Sequence, residues 1–402
     1  MVEEFKMWRF VLTFAMIGEG LCGIFDLTEF DDPFRMFYNP NNVLTRQHHG
    51  RCTGTLNGDR MDGICLTRPE CHFNKGYVAT SGDCTLGICC VYTSSCGQNQ
   101  ISNKRITYFN RTGTTGSSCT YTVNVENQNI CQMRIDFEEM NLALPQQPTV
   151  PIGITPEPAY SCTNEYFQVI SPSINYIPII CGNNIGQHMY VPINTTIGVS
   201  QMTMRIGVDT TQGTNRNWRI KVTQIECPGP FKHQKPLRVN EDSKIRAPDG
   251  CLQYYYTPTG EVRSFGYDNS TGTATNSLYP GNMDYAICFK RNMDTCGLEF
   301  TSNKFILGTG TDCTMTDYVY VPGSPRSEQS ASPGTATSDK YCGGEGDVTV
   351  GSTITSTTPG PLYIRFKTDN ILGDESGLIP ITPPIEQGFS WSYKEKTGNT
   401  CV

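Results

Sequence analysis

Cys162 to Val169 reads CTNEYFQV, and Cys313 to Val321 reads CTMTDYVYV. Each sets a cysteine shortly before an acidic residue and a tyrosine. Each leads on to Cys-Gly, at Cys181-Gly182 and at Cys342-Gly343. A strand-like run with a following aspartate comes next: Met204-Arg205-Ile206 with Asp209, then Ile364-Arg365-Phe366 with Asp369. Trp218-Arg219-Ile220-Lys221 and Trp391-Ser392-Tyr393-Lys394 succeed these, and Cys227 and Cys401 close the two blocks. Apart from Trp8 near the start, the tryptophans fall at equivalent points. The two blocks are an internal repeat.

Around these landmarks the apolar residues recur every second position. Met133, Ile135 and Phe137 do so, as do Met202, Met204, Ile206 and Val208, and Trp218, Ile220 and Val222. In the second block Leu362, Ile364 and Phe366 alternate, followed by Phe389, Trp391 and Tyr393. Half-buried antiparallel strands have this period, whereas a helix needs apolar residues at i, i+3, i+4 and i+7. Short strands between Gly, Pro and Asn turns indicate an all-β fold of sandwiches, with no helix beyond a turn or two.

The 19 cysteines divide as one, six, six and six. Cys22 stands alone. Cys52, Cys65, Cys71, Cys84, Cys89 and Cys90 crowd together, with 12, 5, 12, 4 and 0 residues between successive members. The repeats hold the remaining two sets. Bridges that persist need an oxidising compartment, and a short six-cysteine segment needs them as staples. The apolar run Phe10 to Ile17 is too short to span a bilayer but suits a signal peptide, expected over 1–23. Residues 24–51 read as an extended leader, 52–92 as the disulfide-rich module, 96–227 and 251–402 as the repeats, and 228–250 as their linker. The C-terminus carries no apolar tail, so no membrane anchor is expected. A net charge of −7 gives no basis for binding nucleic acid.

At Cys162–Val169 with Cys181-Gly182, and at Cys313–Val321 with Cys342-Gly343, the chain resembles the CUB domain, a secreted β-sandwich interaction module. The resemblance implies two tandem CUB-like antiparallel β-sandwiches. It implies the bridges Cys96–Cys119, Cys162–Cys181, Cys251–Cys288 and Cys313–Cys342, and it leaves Cys131 with Cys227 and Cys296 with Cys401. The segment Cys52 to Cys90 is similar to a clip-type domain of arthropod secreted proteins, which implies Cys52–Cys89, Cys65–Cys84 and Cys71–Cys90. Together they resemble an arthropod secreted protein with a clip-like knot ahead of two CUB-like domains.

Many CUB domains bind calcium through carboxylates at positions that match Glu165 and Asp209 in the first copy and Asp317 and Asp369 in the second. An early glutamate is missing from both, near Ala143 and Ile306, so solvated loop carboxylates and no cofactor are expected. A clip domain normally precedes a serine protease. None of His48, His49, His72, His188 and His233 has a catalytic context, and Gly373-Asp374-Glu375-Ser376-Gly377 carries an extra residue between acid and serine. No enzyme is expected. His48 and His49 read as surface residues rather than metal ligands, and Trp218 and Trp391 as core. Tyr254, Tyr255 and Tyr256 cannot all face one side of a strand, so at least one is exposed. Asn110, Asn194 and Asn269 begin glycosylation sequons. The expected function is a secreted, extracellular protein that binds a protein or glycan without catalysis. The alternative is a non-catalytic regulator of an extracellular serine-protease cascade, acting through the clip-like segment. A matrix component ranks third.

Overall fold

The computed structural model describes residues 50–97, 100–111, 118–148, 157–171, 177–209, 216–228, 239–268, 277–308, 313, 316–324, 339–343, 348–372 and 386–398. The chain divides into two compact units, Met1–Tyr92 and Thr93–Val402. The expected signal peptide, most of the leader, Cys22, His48, His49, His233, Asn269, the 373–377 loop and Cys401 lie outside the described residues.

In the first unit, β1 (Arg51–Leu56) and β2 (Asp59–Leu66) form a hairpin. Helix α1 (Arg68–Phe73) follows, then β3 (Tyr77–Val78) and β4 (Ile88–Val91). Thr67 caps α1, exchanging hydrogen bonds with Glu70, so the short helix starts at a fixed point. The sheet order is β1-β2-β4-β3. Reciprocal backbone bonds between Thr55 and Thr80 close it on itself. Disulfides Cys52–Cys89, Cys65–Cys84 and Cys71–Cys90 run through its centre, where Cys71 and Cys90 are fully buried. The apolar residues around them are few, Ile64, Leu66 and Tyr92 chief among them, so the bridges supply much of the constraint.

The second unit begins with β5 (Thr93–Ser95), β6 (Ile101–Ser102), β7 (Ile106–Asn110), β8 (Ser118–Asn124) and β9 (Ile130–Asn141). Next come β10 (Tyr166–Ile170), β11 (His188–Pro192), β12 (Gln201–Gly207) and β13 (Asn217–Glu226). They build a sandwich of sheets β10-β12-β8-β6 and β11-β9-β13-β7-β5. Helix α2 (Val239–Asp242) leads to a second sandwich. Its strands start with β14 (Cys251–Tyr255), β15 (Thr259–Arg263), β16 (Asp284–Phe289) and β17 (Thr295–Ile306). They end with β18 (Tyr318–Tyr320), β19 (Lys340–Cys342), β20 (Thr353–Ser356), β21 (Leu362–Lys367) and β22 (Gly388–Thr397). These form sheets β14-β16-β21-β18-β19 and β15-β22-β17-β20.

Inward residues of the facing sheets alternate with outward ones, as two-residue periodicity demands. Trp218 lies tilted against Phe109 in the first core, and Trp391 lies against Phe305, Phe300 and Phe389 in the second. Both tryptophans are buried. The expected all-β pair of antiparallel sandwiches is what the chain forms, with three edge strands departing from the antiparallel pattern. Strand β5 runs parallel to β7, β6 to β8, and β14 to β16. From β5 to β8 the chain alternates between the two sheets, and a strand reached by crossing the sandwich can return parallel. Five disulfides are described here: Cys96–Cys119, Cys131–Cys227, Cys162–Cys181, Cys251–Cys288 and Cys313–Cys342. Cys296 is also disulfide-bonded.

Candidate functional site at the seam of the sandwiches

The two sandwiches meet along a polar seam. From the first, β11 and the turn before it supply Asn184, Gln187, His188 and Tyr190. Asn184 Oδ1 accepts from the Gly266 amide at 2.9 Å, and Gln187 Nε2 donates to the Ser264 carbonyl at 3.0 Å. Gln253 Nε2 donates to Gln187 Oε1 at 3.1 Å, and the Tyr254 amide donates to His188 Nε2 at 3.0 Å. All four donors or acceptors from β11 and its turn lie on buried residues, so each lost bond would strand a desolvated group.

The segment read as a linker is part of this seam from Val239 onward. Asp242 is fully buried; its carboxylate pairs with Arg105 and accepts from the Glu226 amide at 2.8 Å. Ala247 exchanges two bonds with the Gln132 side chain, and the Tyr190 hydroxyl donates to the Ile245 carbonyl. Read as a charged, proline-flanked linker, the segment gave no sign that this carboxylate is enclosed, where Arg105 neutralises it.

The proline-rich loop of the first repeat forms a second tie. The Ala159 amide donates to the Asn370 carbonyl, the Leu372 amide to Glu157, and the Gly281 amide to Tyr160, at 3.0, 2.8 and 2.8 Å. Gly281 permits this approach, since a Cβ there would lie 2.5 Å from Ala159 Cβ and 2.7 Å from the Asp369 oxygen.

Two clefts open beside the seam. One of about 600 Å³ is lined by Asn141, Leu144, Gln146, Asn183 and Arg216 of the first sandwich and by Asp268 and Leu278 of the second. The other, of about 530 Å³, has Ile170, Ile177 and Ile179 on one side and Pro280, Asn282 and Met283 on the other. Ile170 and Ile179 are exposed despite their apolar side chains. Clefts that mix apolar walls with convergent polar groups suit a ligand better than a flat sheet face does.

Of the four carboxylates at the calcium-matching positions, Glu165 and Asp317 are withdrawn from solvent. Glu165 is buried, pairs with Arg216 at 2.6 Å and accepts from the Ala143 amide at 2.5 Å. Asp317 is also buried; its oxygens accept from the Tyr279 hydroxyl and from the Asp369 amide, each at 2.7 Å. Burial outweighs these donated bonds and pushes the Asp317 carboxyl up to about 8, with nearby Asp369 adding to the rise. Asp369 Oδ1 accepts from the Ile371 amide, and Asp209 is half-buried. The expectation of solvated carboxylates fails at Glu165 and Asp317 because each has its own protein donors. Among the described residues the one close group of metal-ligand side chains is Cys52, Cys84 and Cys89. Their sulfurs are spent in disulfides, so none is a thiolate ligand.

His72 is exposed at the end of α1, while His188 is enclosed and neutral, its pKa pressed down to about 3 by burial and by Arg134. Tyr254 is buried, Tyr255 half-buried and Tyr256 exposed, with the Arg134 guanidinium over the rings of Tyr190 and Tyr256. Sequence alternation placed one tyrosine outward; nothing in it pointed to Asn184, Gln187 or Asp242, which are polar residues with no motif around them.

Residues 248–396, which hold the second sandwich, match the family described as the animal CUB domain. No curated protein matches the chain in sequence. Among solved structures, the CUB1-EGF-CUB2 domain of human MASP-1/3 is 11% identical, with 73% of this chain and 100% of that chain covered at a TM-score of 0.22. The full extracellular region of zebrafish Gpr126/Adgrg6 is 10% identical, with 75% and 36% covered at a TM-score of 0.23. At scores this low neither likeness bears on what this chain binds.

Proposed function

We propose that the chain is a secreted, non-enzymatic extracellular binding protein whose two CUB-like sandwiches hold a protein or glycan along their shared seam. The CUB domain at 248–396 carries the reading, since such domains mediate extracellular binding. The internal repeat supports reading the first sandwich in the same way. Multiple disulfides fit an oxidising compartment, and among the described residues no helix is long and apolar enough to cross a membrane. Rigid, bridged sheets lower the ordering cost of binding, and clefts at a fixed seam give a ligand two sandwiches to touch at once.

A second reading has an observation of its own. The clip-like unit, of the kind found in arthropod secreted proteins, carries Phe73 at 88% exposure and Tyr77 at 50%. Outward aromatics on a stapled module suit docking to a protease of an extracellular cascade. The readings separate in one experiment, cross-linked capture from the native extracellular fluid by the full chain and by variants. Leu278→Glu and Ile170→Asp should each reduce capture at least tenfold if the seam binds. Retention by both variants, with loss on deleting 52–90, would overturn the seam and favour the cascade reading.

A further inference from the structure

We infer that the folded protein carries an N-linked glycan on Asn194 and none on Asn110. The inference rests on the secreted reading, and the two sequons differ in what the fold does with their amides.

Asn194 is exposed and caps the single turn Thr195–Ile197. Its Oδ1 accepts from the Thr196 amide at 3.2 Å and from the Thr196 hydroxyl at 2.5 Å. Gly198, at φ +84°, ends the turn in a conformation that costs glycine little. Both bonds fall on the oxygen, so Nδ2 is left as the outward, reactive end of the side chain. Two donors on Oδ1 also draw electron density from the amide and make its N–H more acidic. Attachment joins Nδ2 to the anomeric carbon of an oligosaccharide supplied by a polyprenyl-diphosphate-linked donor. The bond from that carbon to the diphosphate oxygen breaks, the polyprenyl diphosphate leaves with the bonding pair, and the proton lost from Nδ2 passes to a base of the transferring enzyme.

The surroundings suit the sugar that would stay. Asn194 lines a cleft of about 510 Å³ with Ile197, Arg246, Pro248 and Asp249. Ile197 is 69% exposed and offers an apolar surface to the C–H face of a ring, while Arg246 and Asp249 offer charged partners to its hydroxyls.

Asn110 is placed otherwise. It ends β7, pairs with Arg219 of β13 on one side and Ser95 of β5 on the other, and is half-buried. Its Nδ2 donates to Thr93 Oγ1 at 3.0 Å, and its Oδ1 is enclosed without a partner. A sugar on that nitrogen would crowd β5 and break the Thr93 bond, so chains that carry it do not complete the sheet.

The test is glycopeptide mapping of the full chain from insect cells, secreted in parallel behind its own N-terminus and behind a leader known to direct secretion. Glycosidase release in heavy-oxygen water should mark Asn194 in nearly every molecule and leave Asn110 unmarked. Asn194→Gln should remove one glycan from the intact mass, and Asn110→Gln none. An unmarked Asn194 in leader-secreted protein, or a marked Asn110, would overturn the inference. If the chain with its own N-terminus stays inside the cell while the leader-driven chain is marked at Asn194, the secreted reading fails and the site assignment stands.

Discussion

His188 and Asp317 are both enclosed, yet burial moves their pKa values in opposite directions because it disfavours the charged form of each. His188 falls from its ordinary 6.5 to about 3. Its contribution to stability is therefore complete above pH 6.5 and is lost as pH drops below it. Asp317 rises from 3.8 to about 8, so the folded state holds a proton that the unfolded chain releases. Its contribution is complete below 3.8 and is lost as pH climbs toward 8. Between 3.8 and 6.5 the two slopes oppose one another, and above 6.5 Asp317 acts alone. At about 1.4 kcal/mol per pH unit, roughly 2 kcal/mol should be lost between pH 6.5 and 8. Urea unfolding at the two pH values measures this. Asp317→Asn should flatten the slope; a variant as steep as the native chain would sink the account. The acidic-Tyr motif located Asp317 in the sequence, but whether its carboxyl meets water depends on Tyr279, 38 positions away.

Among the elements, the strands were legible and the ties between sandwiches were not. Alternation identified β12, β13, β21 and β22 because each has one face in a core, and a face is a local, two-residue property. The parallel courses of β5, β6 and β14 depend on which sheet the chain enters next, and no period records that. The proline-rich loop has no period to mark it, yet residues 157–160 pair with two distant loops of the second repeat, at Gly281 and at Asn370 and Leu372. Gly281→Ala tests that tie. The added methyl meets Ala159 Cβ and the Asp369 backbone, neither of which can swing aside. A loss of about 1–3 kcal/mol is expected, as for other overpacked contacts. Hydrogen exchange should quicken at the Ala159 and Leu372 amides, which donate across the tie; unchanged protection there would show that the strap does not depend on glycine.

For the second unit as a whole, the seam should make two sandwiches unfold as one. Arg105 and Asp242 are almost wholly buried, so removing one charge strands the other. Asp242→Ala should cost about 3–5 kcal/mol. Calorimetry should show one cooperative transition for residues 93–402 in the native chain and a lowered, broadened or split one in the variant. Two separate transitions in the native chain would mean that the seam does not couple the sandwiches. The sequence by itself determined the all-β class, the repeat, the cysteine sets and the buried tryptophans, since these follow from spacing along the chain and from the period of a pleated strand. Only the tertiary structure decided that the segment after Val239 is packed, that Glu165 and Asp317 leave solvent, and that Asn184, Gln187 and His188 meet the second sandwich. Those facts depend on which donors and acceptors distant parts of the chain bring together. An isolated glutamine or aspartate reads the same in sequence whether or not it has such a partner.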